Sequence, residues 1–275
     1  KNKYDHYEAQ CVCILALAIA RRVFVHVSAK NSTYVIHDLG TSDKDQWFSL
    51  GSISGRVEKI FYRMFTGKVI TVCNNMKKKI VDEIGKKKKD VVVVYNGVDD
   101  KLIDKVKQPE KEDEIVFVGR LVPHKRVDDL LIAFKDFYES EKSDKAYKLK
   151  IIGTGTEEES LMKMAGKLKI SNRVRFLGSL SKYEQVIHEI KKSRLLVLPS
   201  TREGFGMVLV EAMYCRLPVI AYDSDGASEV IDHMKNGLLI EKRDVKGICE
   251  AMKNVIDDPK LADLLGNNGH KKVKE

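Results

Sequence analysis

One stretch in the C-terminal half decides the fold: Pro199-Ser-Thr-Arg-Glu203-Gly-Phe-Gly-Met-Val-Leu-Val-Glu211-Ala-Met213. It follows the apolar run Leu195–Leu198, which predicts a buried strand. Gly204 and Gly206 then permit a tight turn, and residues 208–213 have the apolar spacing of a helix. A turn that leads into a helix N-terminus directs several N–H groups and the positive end of the helix dipole at one point. Such a point suits a phosphate group.

Two carboxylates accompany this turn. Glu203 lies on the turn itself, and Glu211 lies about two helical turns further along. Carboxylates repel phosphate, but their oxygens accept hydrogen bonds from hydroxyl groups. The pair therefore predicts a site for a sugar that is attached to the phosphate. A helix cap with one solvent-facing glutamate is the alternative, and this stretch alone leaves both open.

Composition indicates a soluble globular protein, with 43% hydrophobic and 32% charged residues. A chain of 275 residues exceeds the usual size of one domain, so we expect two. The longest early apolar run, residues 11–20, has about half the length that spans a bilayer, and no small-residue cleavage site follows it. The 5 cysteines contain no Cys-x-x-Cys pair, which predicts free thiols in the reducing cytoplasm.

The net charge of +9 is concentrated in the N-terminal half, where lysine runs occupy residues 77–79 and 86–89. Such runs often form a solvated face. The alternative is a patch that binds an anionic acceptor or an anionic membrane, which would place the protein peripherally on the inner membrane face. We expect no nucleic-acid partner, because no aromatic residues alternate with the lysines and no DNA-binding motif is present.

The N-terminal half alternates predicted strands with predicted helices, which is the pattern of parallel βαβ units. A polar stretch with a proline and no periodicity, residues 104–113, predicts the linker between two domains, residues 1–108 and 109–275. The predicted helices before it are residues 4–22, 57–65 and 75–84, and the predicted strands are residues 33–38, 68–73 and 90–95.

The C-terminal half repeats this alternation more regularly, and its six predicted strands form a doubly wound, nucleotide-binding α/β domain. In such sheets the ligand lies outside the carboxyl ends of the strands. Gly119, Gly153, Gly155 and Glu203 each follow a strand closely, so we expect them to converge on one crevice. The predicted strands are residues 115–118, 148–152, 174–177, 195–198, 218–221 and 237–240, and the main helices are residues 127–138, 157–168, 181–191, 208–213 and 245–256.

Two motifs in this half lack the residues that their best-known functions need. Gly153-x-Gly155 begins like a dinucleotide fingerprint, but Glu158 stands where the third glycine belongs. Asp223-Ser-Asp225 has the spacing of a metal-binding pair, but it follows a strand and is rich in turn formers, so we interpret it as a turn. We therefore expect neither a nicotinamide site nor a metal site.

The loop Gly119-Arg-Leu-Val-Pro-His-Lys125 carries two cations directly after a strand. It lacks the second glycine and the Ser/Thr of a phosphate-binding P-loop. Arg120 and Lys125 still have the chemistry of a diphosphate clamp, because paired cations bind phosphate oxygens through charge-assisted hydrogen bonds. Ordinary surface charges are the alternative.

Together these motifs resemble the retaining glycosyltransferases of family 4, the "glycosyl transferases group 1" set. The resemblance covers about residues 33–269 and implies a GT-B fold, with two Rossmann-like α/β domains and parallel sheets. Its most specific part is Glu203-x7-Glu211 in the Gly-Phe-Gly context. The other matching motifs are Asn96-Gly-Val-Asp99, Gly119-Arg-Leu through Lys125, Ile152-Gly-x-Gly155, Val174-x-Phe-Leu-Gly178, Pro218-Val-Ile-Ala221 and Gly226-Ala-x-Glu229-Val-Ile231.

The resemblance also implies roles for single residues. Arg120 and Lys125 would bind the donor diphosphate, Glu203 the hydroxyls of the transferred sugar, and Glu211 the ribose. His37, at the end of an N-terminal strand, would face the reacting sugar from the acceptor side. No metal or cofactor is implied, and the donor would be a UDP- or GDP-sugar. The further substrate-binding positions are Gly119, Gly153, Gly155, Gly204, Phe205, Gly206, Met207 and Val208.

Two departures from the family pattern stand out. Arg126 occupies a position where many members have glycine, and it adds positive charge beside the clamp. The N-terminal domain lacks the first strand and the Gly-rich loop, and the chain stops soon after Gly269. We therefore expect an incomplete N-terminal domain and a truncated member of the family.

The predicted activity is transfer of a hexosyl group from a nucleoside diphosphate sugar to an acceptor hydroxyl, with retention of configuration and without a metal. The basic N-terminal half favours a lipid-linked or otherwise anionic acceptor. Two alternatives stay open. One is a nucleotide-sugar epimerase, and the other is a non-catalytic, truncated relative that binds a nucleotide sugar or a membrane.

Overall fold

The structure is a computed structural model that describes residues 68–140 and 147–275, together with the backbone of residues 33–36. The chain divides into two compact units, residues 1–96 and 97–275. The helices predicted at residues 4–22 and 57–65, and His37, lie outside the described residues.

The first unit contains a parallel three-stranded sheet in the order β1-β2-β3. Helix α1 follows β2 and precedes β3, so the chain forms the predicted βαβ unit. The Cys73 Sγ atom caps α1 by accepting a hydrogen bond from the N–H of Met76 at 3.4 Å. The elements are β1 (Thr33–Ile36), β2 (Lys68–Thr71), α1 (Asn74–Asp82) and β3 (Val91–Val93), each slightly shorter than or shifted from its predicted range.

The second unit contains a fully parallel six-stranded sheet in the order β6-β5-β4-β7-β8-β9. The order reverses between β4 and β7, and at such a switch point the loops diverge and leave a crevice at the carboxyl ends of the strands. The interior strands β7 and β8 are buried along their whole length, as expected for a sheet that helices cover on both faces. The six strands are β4 (Glu114–Val118), β5 (Lys148–Ile152), β6 (Val174–Phe176), β7 (Leu195–Leu198), β8 (Val219–Tyr222) and β9 (Leu238–Ile240).

Eight helices of the second unit lie in the described part of the chain: α2 (Asp100–Lys105), α3 (Val127–Ser140), α4 (Glu158–Lys167), α5 (Tyr183–Lys192), α6 (Met207–Tyr214), α7 (Ala227–Val230), α8 (Val245–Asp257) and α9 (Pro259–Lys274). Helices α3 and α8 pack together, and α9 packs against α6. Within residues 68–140 and 147–275, no helix is both long enough and apolar enough to cross a bilayer.

The stretch predicted as a linker, residues 104–113, is bound to the second unit. The buried Lys191 Nζ donates hydrogen bonds to the Ile103 and Val106 carbonyls at 2.9 and 2.6 Å. The Lys111 Nζ donates to the Ser193 carbonyl at 2.6 Å, and the Gln108 side chain donates to the Lys191 carbonyl at 3.0 Å. The division therefore lies before α2, between Asn96 and Gly97, because the polar groups of this stretch bond to the end of α5.

A charged cluster lies inside the sheet of the second unit. Lys150 on β5 is fully buried and pairs with Glu114, the first residue of β4, and with Glu189 on α5 at 2.5 Å. Arg175 on β6 also pairs with Glu114, at 3.1 Å. Buried charges are tolerated only when they are paired, so the cluster fixes how α5 and the three strands fit together.

Candidate active site

The loop after β4 turns back over the carboxyl end of the sheet. Residues Pro123–Lys125 form one turn of 3-10 helix, and Arg126 then adopts a left-handed conformation with φ of 50° before α3 begins. Leu121 is fully buried beneath the loop and anchors it. Arg120 is exposed, and Lys125 is largely buried.

The loop after β5 packs directly against this first loop, and glycines make the approach possible. The Gly119 N–H donates to the Ile152 carbonyl and the Leu121 N–H to the Thr154 carbonyl, both at 2.9 Å. A Cβ atom on Gly153 would lie 1.9 Å from the Gly119 oxygen, and one on Gly155 would lie 2.2 Å from the Leu121 oxygen. The Gly-x-Gly motif therefore positions the two backbones and has a packing function in this fold.

The loop after β7 meets the loop after β4 at the switch point. The His124 carbonyl accepts hydrogen bonds from the Thr201 N–H at 2.9 Å and from its hydroxyl at 3.2 Å. The Lys125 Nζ lies 2.6 Å from the Glu203 Oε2, and the two side chains are 12% and 15% exposed. The residue predicted to bind the diphosphate, Lys125, and the residue predicted to bind the sugar, Glu203, are therefore neighbours at the edge of the crevice.

Helix α6 starts at this point. Gly206 caps it with φ of 87°, and its carbonyl accepts hydrogen bonds from the N–H groups of Leu209 and Val210 at 2.8 and 3.4 Å. The preceding N–H groups, those of Met207 and Val208, have no acceptor within the helix because the first turn of any α-helix lacks them. This end of α6 carries the positive end of the helix dipole.

The start of α7 supports the Gly204–Phe205 segment from behind. The Gly226 N–H donates to the Glu203 carbonyl at 3.0 Å. A Cβ atom at Gly226 would lie 2.6 Å from the Phe205 nitrogen, so this position also requires glycine. Phe205 itself is buried. The turn that bears Glu203 is thereby held from both sides.

Glu211, on the second turn of α6, faces α5. Its Oε1 accepts a hydrogen bond from the Tyr183 hydroxyl at 3.1 Å. Burial raises the pKa of Glu211 to about 6, while the hydrogen bond from Tyr183 acts in the opposite direction. Burial and the neighbouring Glu211 raise the pKa of Tyr183. Glu211 is thus ionised at neutral pH and able to accept hydrogen bonds from hydroxyl groups.

Cations surround the His124 side chain. Burial lowers the pKa of His124, and the charges of Arg202, Lys125 and Arg120 lower it further, while Glu203 opposes them. The imidazole thus interacts electrostatically with three cations on the loops after β4 and β7. The crevice carries a positive potential, which favours an anionic ligand.

Arg126 does not contribute its charge to this crevice in the way that the sequence suggests. Its guanidinium lies 2.5 Å from the Asp129 Oδ1 and 3.0 Å from the Asp128 Oδ2. The Tyr222 hydroxyl also donates to Asp129, at 2.9 Å. The expectation of added positive charge beside the clamp is therefore wrong, because two carboxylates at the start of α3 neutralise it.

Comparison with known proteins identifies the family. The family model "Glycosyl transferases group 1" matches residues 98–272. The chain belongs to this family. An uncharacterized glycosyltransferase of Methanocaldococcus jannaschii is 31% identical over 266 residues, which are 97% of this chain and 68% of that protein. An N-acetyl-alpha-D-glucosaminyl L-malate synthase of Bacillus anthracis is 31% identical, and the match covers 60% of this chain and 41% of the synthase.

Solved structures show the fold of this glycosyltransferase. Anabaena HepE aligns with a TM-score of 0.81 at 23% identity, over 98% of this chain and 73% of HepE. Sucrose-phosphate synthase from Thermosynechococcus elongatus aligns with a TM-score of 0.80 at 21% identity, over 98% of this chain and 68% of the synthase. The predicted α/β fold of GT-B type, with Rossmann-like units and parallel sheets, is confirmed.

The predicted site residues of this glycosyltransferase mostly converge. Lys125 and Glu203 are in contact, Arg120 is exposed on the loop that carries Lys125, and Glu211 lies on the helix that starts after the turn with Glu203. The sequence interpretation missed Arg202, His124 and Tyr183, although Arg202 directly precedes Glu203. The predicted glycine and backbone positions that line these loops are Gly119, Gly153, Gly155, Gly204, Phe205, Gly206, Met207 and Val208.

Residues 223–226 connect β8 to α7 with a turn at residues 225 and 226, and the Ser224 N–H donates to the Tyr222 carbonyl at 2.8 Å. In the part of the chain that the structure describes, no three His, Cys, Asp or Glu side chains lie together as metal ligands.

Proposed function

We propose that this glycosyltransferase moves a hexosyl group from a UDP- or GDP-sugar to an acceptor hydroxyl, with retention of configuration and without a metal. One observation carries the proposal. Lys125 and Glu203 meet at 2.6 Å at the switch point of the sheet, where the N-terminus of α6 begins. The cation and the helix dipole suit the diphosphate of a nucleotide sugar, and the acid suits the hydroxyls of its sugar.

Stabilisation of the leaving group supplies most of the catalysis in this proposal. The bond to the sugar breaks as negative charge develops on the departing diphosphate. Arg120, Lys125 and the dipole of α6 neutralise that charge, and preorganised donors of this kind are the largest single contribution in many enzymes. The lowered pKa of His124 supports a positively charged site for the diphosphate, because Lys125 and Arg120 cause part of that shift.

The pair of Lys125 and Glu203 keeps both side chains in place until a donor arrives. When the donor binds, its phosphate replaces Glu203 as the partner of Lys125. Its sugar hydroxyls replace Lys125 as the donors to Glu203. Each group exchanges one charge-assisted hydrogen bond for another, so binding leaves no buried charge without a partner.

Glu211 is the proposed ligand of the ribose hydroxyls. Above its pKa of about 6 the carboxylate is ionised and accepts hydrogen bonds with both oxygens. His37, outside the described residues, remains the predicted residue on the acceptor side of the reacting sugar.

The relatives support a nucleotide-sugar donor. HepE has been solved with UDP and glucose and with UDP-glucose. A Corynebacterium glutamicum mannosyltransferase that is 33% identical over 162 residues is named as GDP-mannose-dependent, and the chain covers 41% of it. Because this chain spans only part of these proteins, the donor base, the sugar and the acceptor are proposals here.

The lysine runs support an anionic or lipid-linked acceptor. Lys78 on α1 and residues 87–89 before β3 are exposed. Exposed lysines attract anionic membrane surfaces. This surface would hold the protein peripherally on the inner face of a cytoplasmic membrane.

The test is product analysis with two labelled donors, UDP-glucose and GDP-mannose, in the presence and absence of lipid vesicles and of EDTA. We expect one donor to yield a glycoside whose anomeric configuration equals that of the donor, at a rate that EDTA does not change. An epimerised nucleotide sugar as the only product would contradict the proposal, as would binding of UDP and GDP sugars without any turnover.

A further inference from the structure

We propose that Tyr183 is a positioning residue for the nucleotide, because its hydroxyl group holds Glu211 in the orientation in which the carboxylate accepts the ribose hydroxyls. The inference rests on the proposed role of Glu211. No motif in the sequence points to Tyr183, which lies 28 positions before Glu211 on a different helix.

The packing of two helices brings the Tyr183 hydroxyl within hydrogen-bonding distance of Glu211. Tyr183 is the first residue of α5, and Glu211 lies on the second turn of α6, which packs against α5. The hydroxyl donates to the Oε1 of Glu211 at 3.1 Å. A carboxylate has about four acceptor positions on its two oxygens, so one hydrogen bond to Oε1 leaves Oε2 for the ligand.

Other charged groups near the pair are engaged elsewhere. Lys191 on α5 donates hydrogen bonds to the carbonyls of Ile103 and Val106. Lys111, between α2 and β4, donates to the Ser193 carbonyl. Directly after α6, burial raises the pKa of Cys215 to about 11, so Cys215 is a neutral neighbour at physiological pH.

The charged groups on the other neighbouring elements also bond to partners other than Glu211. From α2, Asp99 caps its own helix by accepting from the Leu102 N–H, and Asp104 accepts from the Tyr214 hydroxyl. From α9, His270 and Lys274 lie against Tyr214. Among the described residues, the Tyr183 hydroxyl is therefore the side-chain donor to Glu211, and no cation pairs with that carboxylate.

A consequence for pH dependence follows. Burial raises the pKa of Glu211 to about 6, and the Tyr183 hydroxyl limits this rise. Without the hydroxyl the pKa rises further, so Glu211 is protonated over a wider range of acidic pH. A protonated carboxyl accepts fewer hydrogen bonds, so nucleotide affinity falls as the pH falls through this pKa.

The experiment measures the dissociation constants of UDP and GDP by calorimetry as a function of pH for the full chain and for Tyr183→Phe. The variant keeps the ring and removes only the hydroxyl. We expect about tenfold weaker binding at neutral pH, because Glu211 is no longer held in the orientation that accepts the ribose hydroxyls. We also expect the fall in affinity on acidification to begin at a higher pH than in the wild type.

Tyr138→Phe is the matched control. Tyr138, near the C-terminal end of α3, accepts a hydrogen bond from Arg173 at 3.0 Å, so this substitution also removes one hydroxyl from a tyrosine with a partner. It should change neither the affinity nor the pH profile. Equal thermal melting of wild type and Tyr183→Phe would show that the loss of affinity does not come from unfolding.

Two outcomes separate this inference from the function on which it rests. If Glu211→Ala abolishes nucleotide binding while Tyr183→Phe leaves the affinity and the pH profile unchanged, the positioning role is wrong and the ribose role of Glu211 stands. If Glu211→Ala leaves the binding of UDP and GDP unchanged, or if the wild type binds neither, both proposals are overturned.

Discussion

Two lysine–glutamate pairs in the second unit have the same chemistry and different surroundings. Lys150 is 0% exposed between Glu114 and Glu189, which are 3% and 21% exposed. Lys125 and Glu203 are 12% and 15% exposed on loops that follow the carboxyl ends of β4 and β7. The first pair joins strands and a helix within the sheet, whereas the second joins two loops above it.

The difference shows how the environment assigns a role to the same charges. A fully buried lysine cannot exchange its partners for a ligand, so its role is structural. Its loss leaves the buried Glu114 with Arg175 as its cation and removes the buried cation that pairs with Glu189. A partly exposed pair at a switch point can exchange partners with a ligand that brings its own charge and hydroxyl groups. The following predictions test this assignment, beginning with the largest expected effect.

Lys150→Met should lower the free energy of unfolding by about 3–5 kcal/mol, because Glu114 and Glu189 lose their buried cation. Urea unfolding of the wild type and the variant measures the change. Lys163→Met is the control, since Lys163 and Glu159 form a pair that is 69% and 82% exposed. A loss below about 1 kcal/mol for Lys150→Met would mean that the cluster is not structural.

Lys125→Ala should raise the barrier to sugar transfer by about 2.7–4 kcal/mol, because the departing diphosphate loses a preorganised cation. The measurement is the turnover number with the donor identified by product analysis. Urea unfolding should change less than in Lys150→Met, because Lys125 and Glu203 keep some solvent access whereas Lys150 has none. Unchanged turnover would refute the role of Lys125, and a stability loss as large as that of Lys150→Met would remove the contrast between the two pairs.

Gly155→Ala should destabilise the protein by about 1–3 kcal/mol and weaken nucleotide binding. A methyl group there would lie 2.2 Å from the Leu121 carbonyl, so the loop that carries Lys125 must move. Gly166→Ala is the control, because its nearest neighbour would be the Ser171 Oγ at 3.8 Å and helix α4 favours alanine. Nucleotide affinity that stays unchanged in Gly155→Ala would show that the loop contact does not position the clamp.

Substitutions of Arg126 should have the smallest effect on the site. Its guanidinium is neutralised by Asp128 and Asp129, so Arg126→Ala and Arg126→Gly should both bind UDP and GDP like the wild type. Arg126→Gly should be more stable than Arg126→Ala by about 1 kcal/mol, because glycine tolerates the φ of 50° without strain. A clear loss of nucleotide affinity in both variants would place Arg126 in the clamp after all.

The crevice was predictable from the sequence because each loop that lines it directly follows a strand that the sequence identifies. Gly119, Gly153 and Glu203 follow strands directly, and the carboxyl ends of parallel strands share one edge of a sheet. The alternation of strands and helices therefore predicted that these loops share one crevice. The structure adds that β4 and β7 are neighbours, which brings Lys125 and Glu203 into contact.

Other features depend on contacts that a local pattern does not contain. The direction of Arg126 depends on Asp129 and on Tyr222, and the partnership of Tyr183 with Glu211 depends on how α5 packs against α6. The hydrogen bonds that tie residues 104–113 to α5 also depend on tertiary packing, which the composition of that stretch does not indicate. Helix α9 was missed although Asp258 and Pro259 carry the signature of a helix start: Asp258 accepts hydrogen bonds from the N–H groups of Lys260 and Leu261 at 3.0 and 3.1 Å.

The most direct test of the central claim is a crystal structure of the protein with the nucleotide sugar that it turns over, or with UDP or GDP. The account predicts a phosphate oxygen within hydrogen-bonding distance of the Lys125 Nζ, beside the N-terminus of α6, with the contact between Lys125 and Glu203 broken. A nucleotide bound elsewhere, with Lys125 and Glu203 still paired at 2.6 Å, would contradict it.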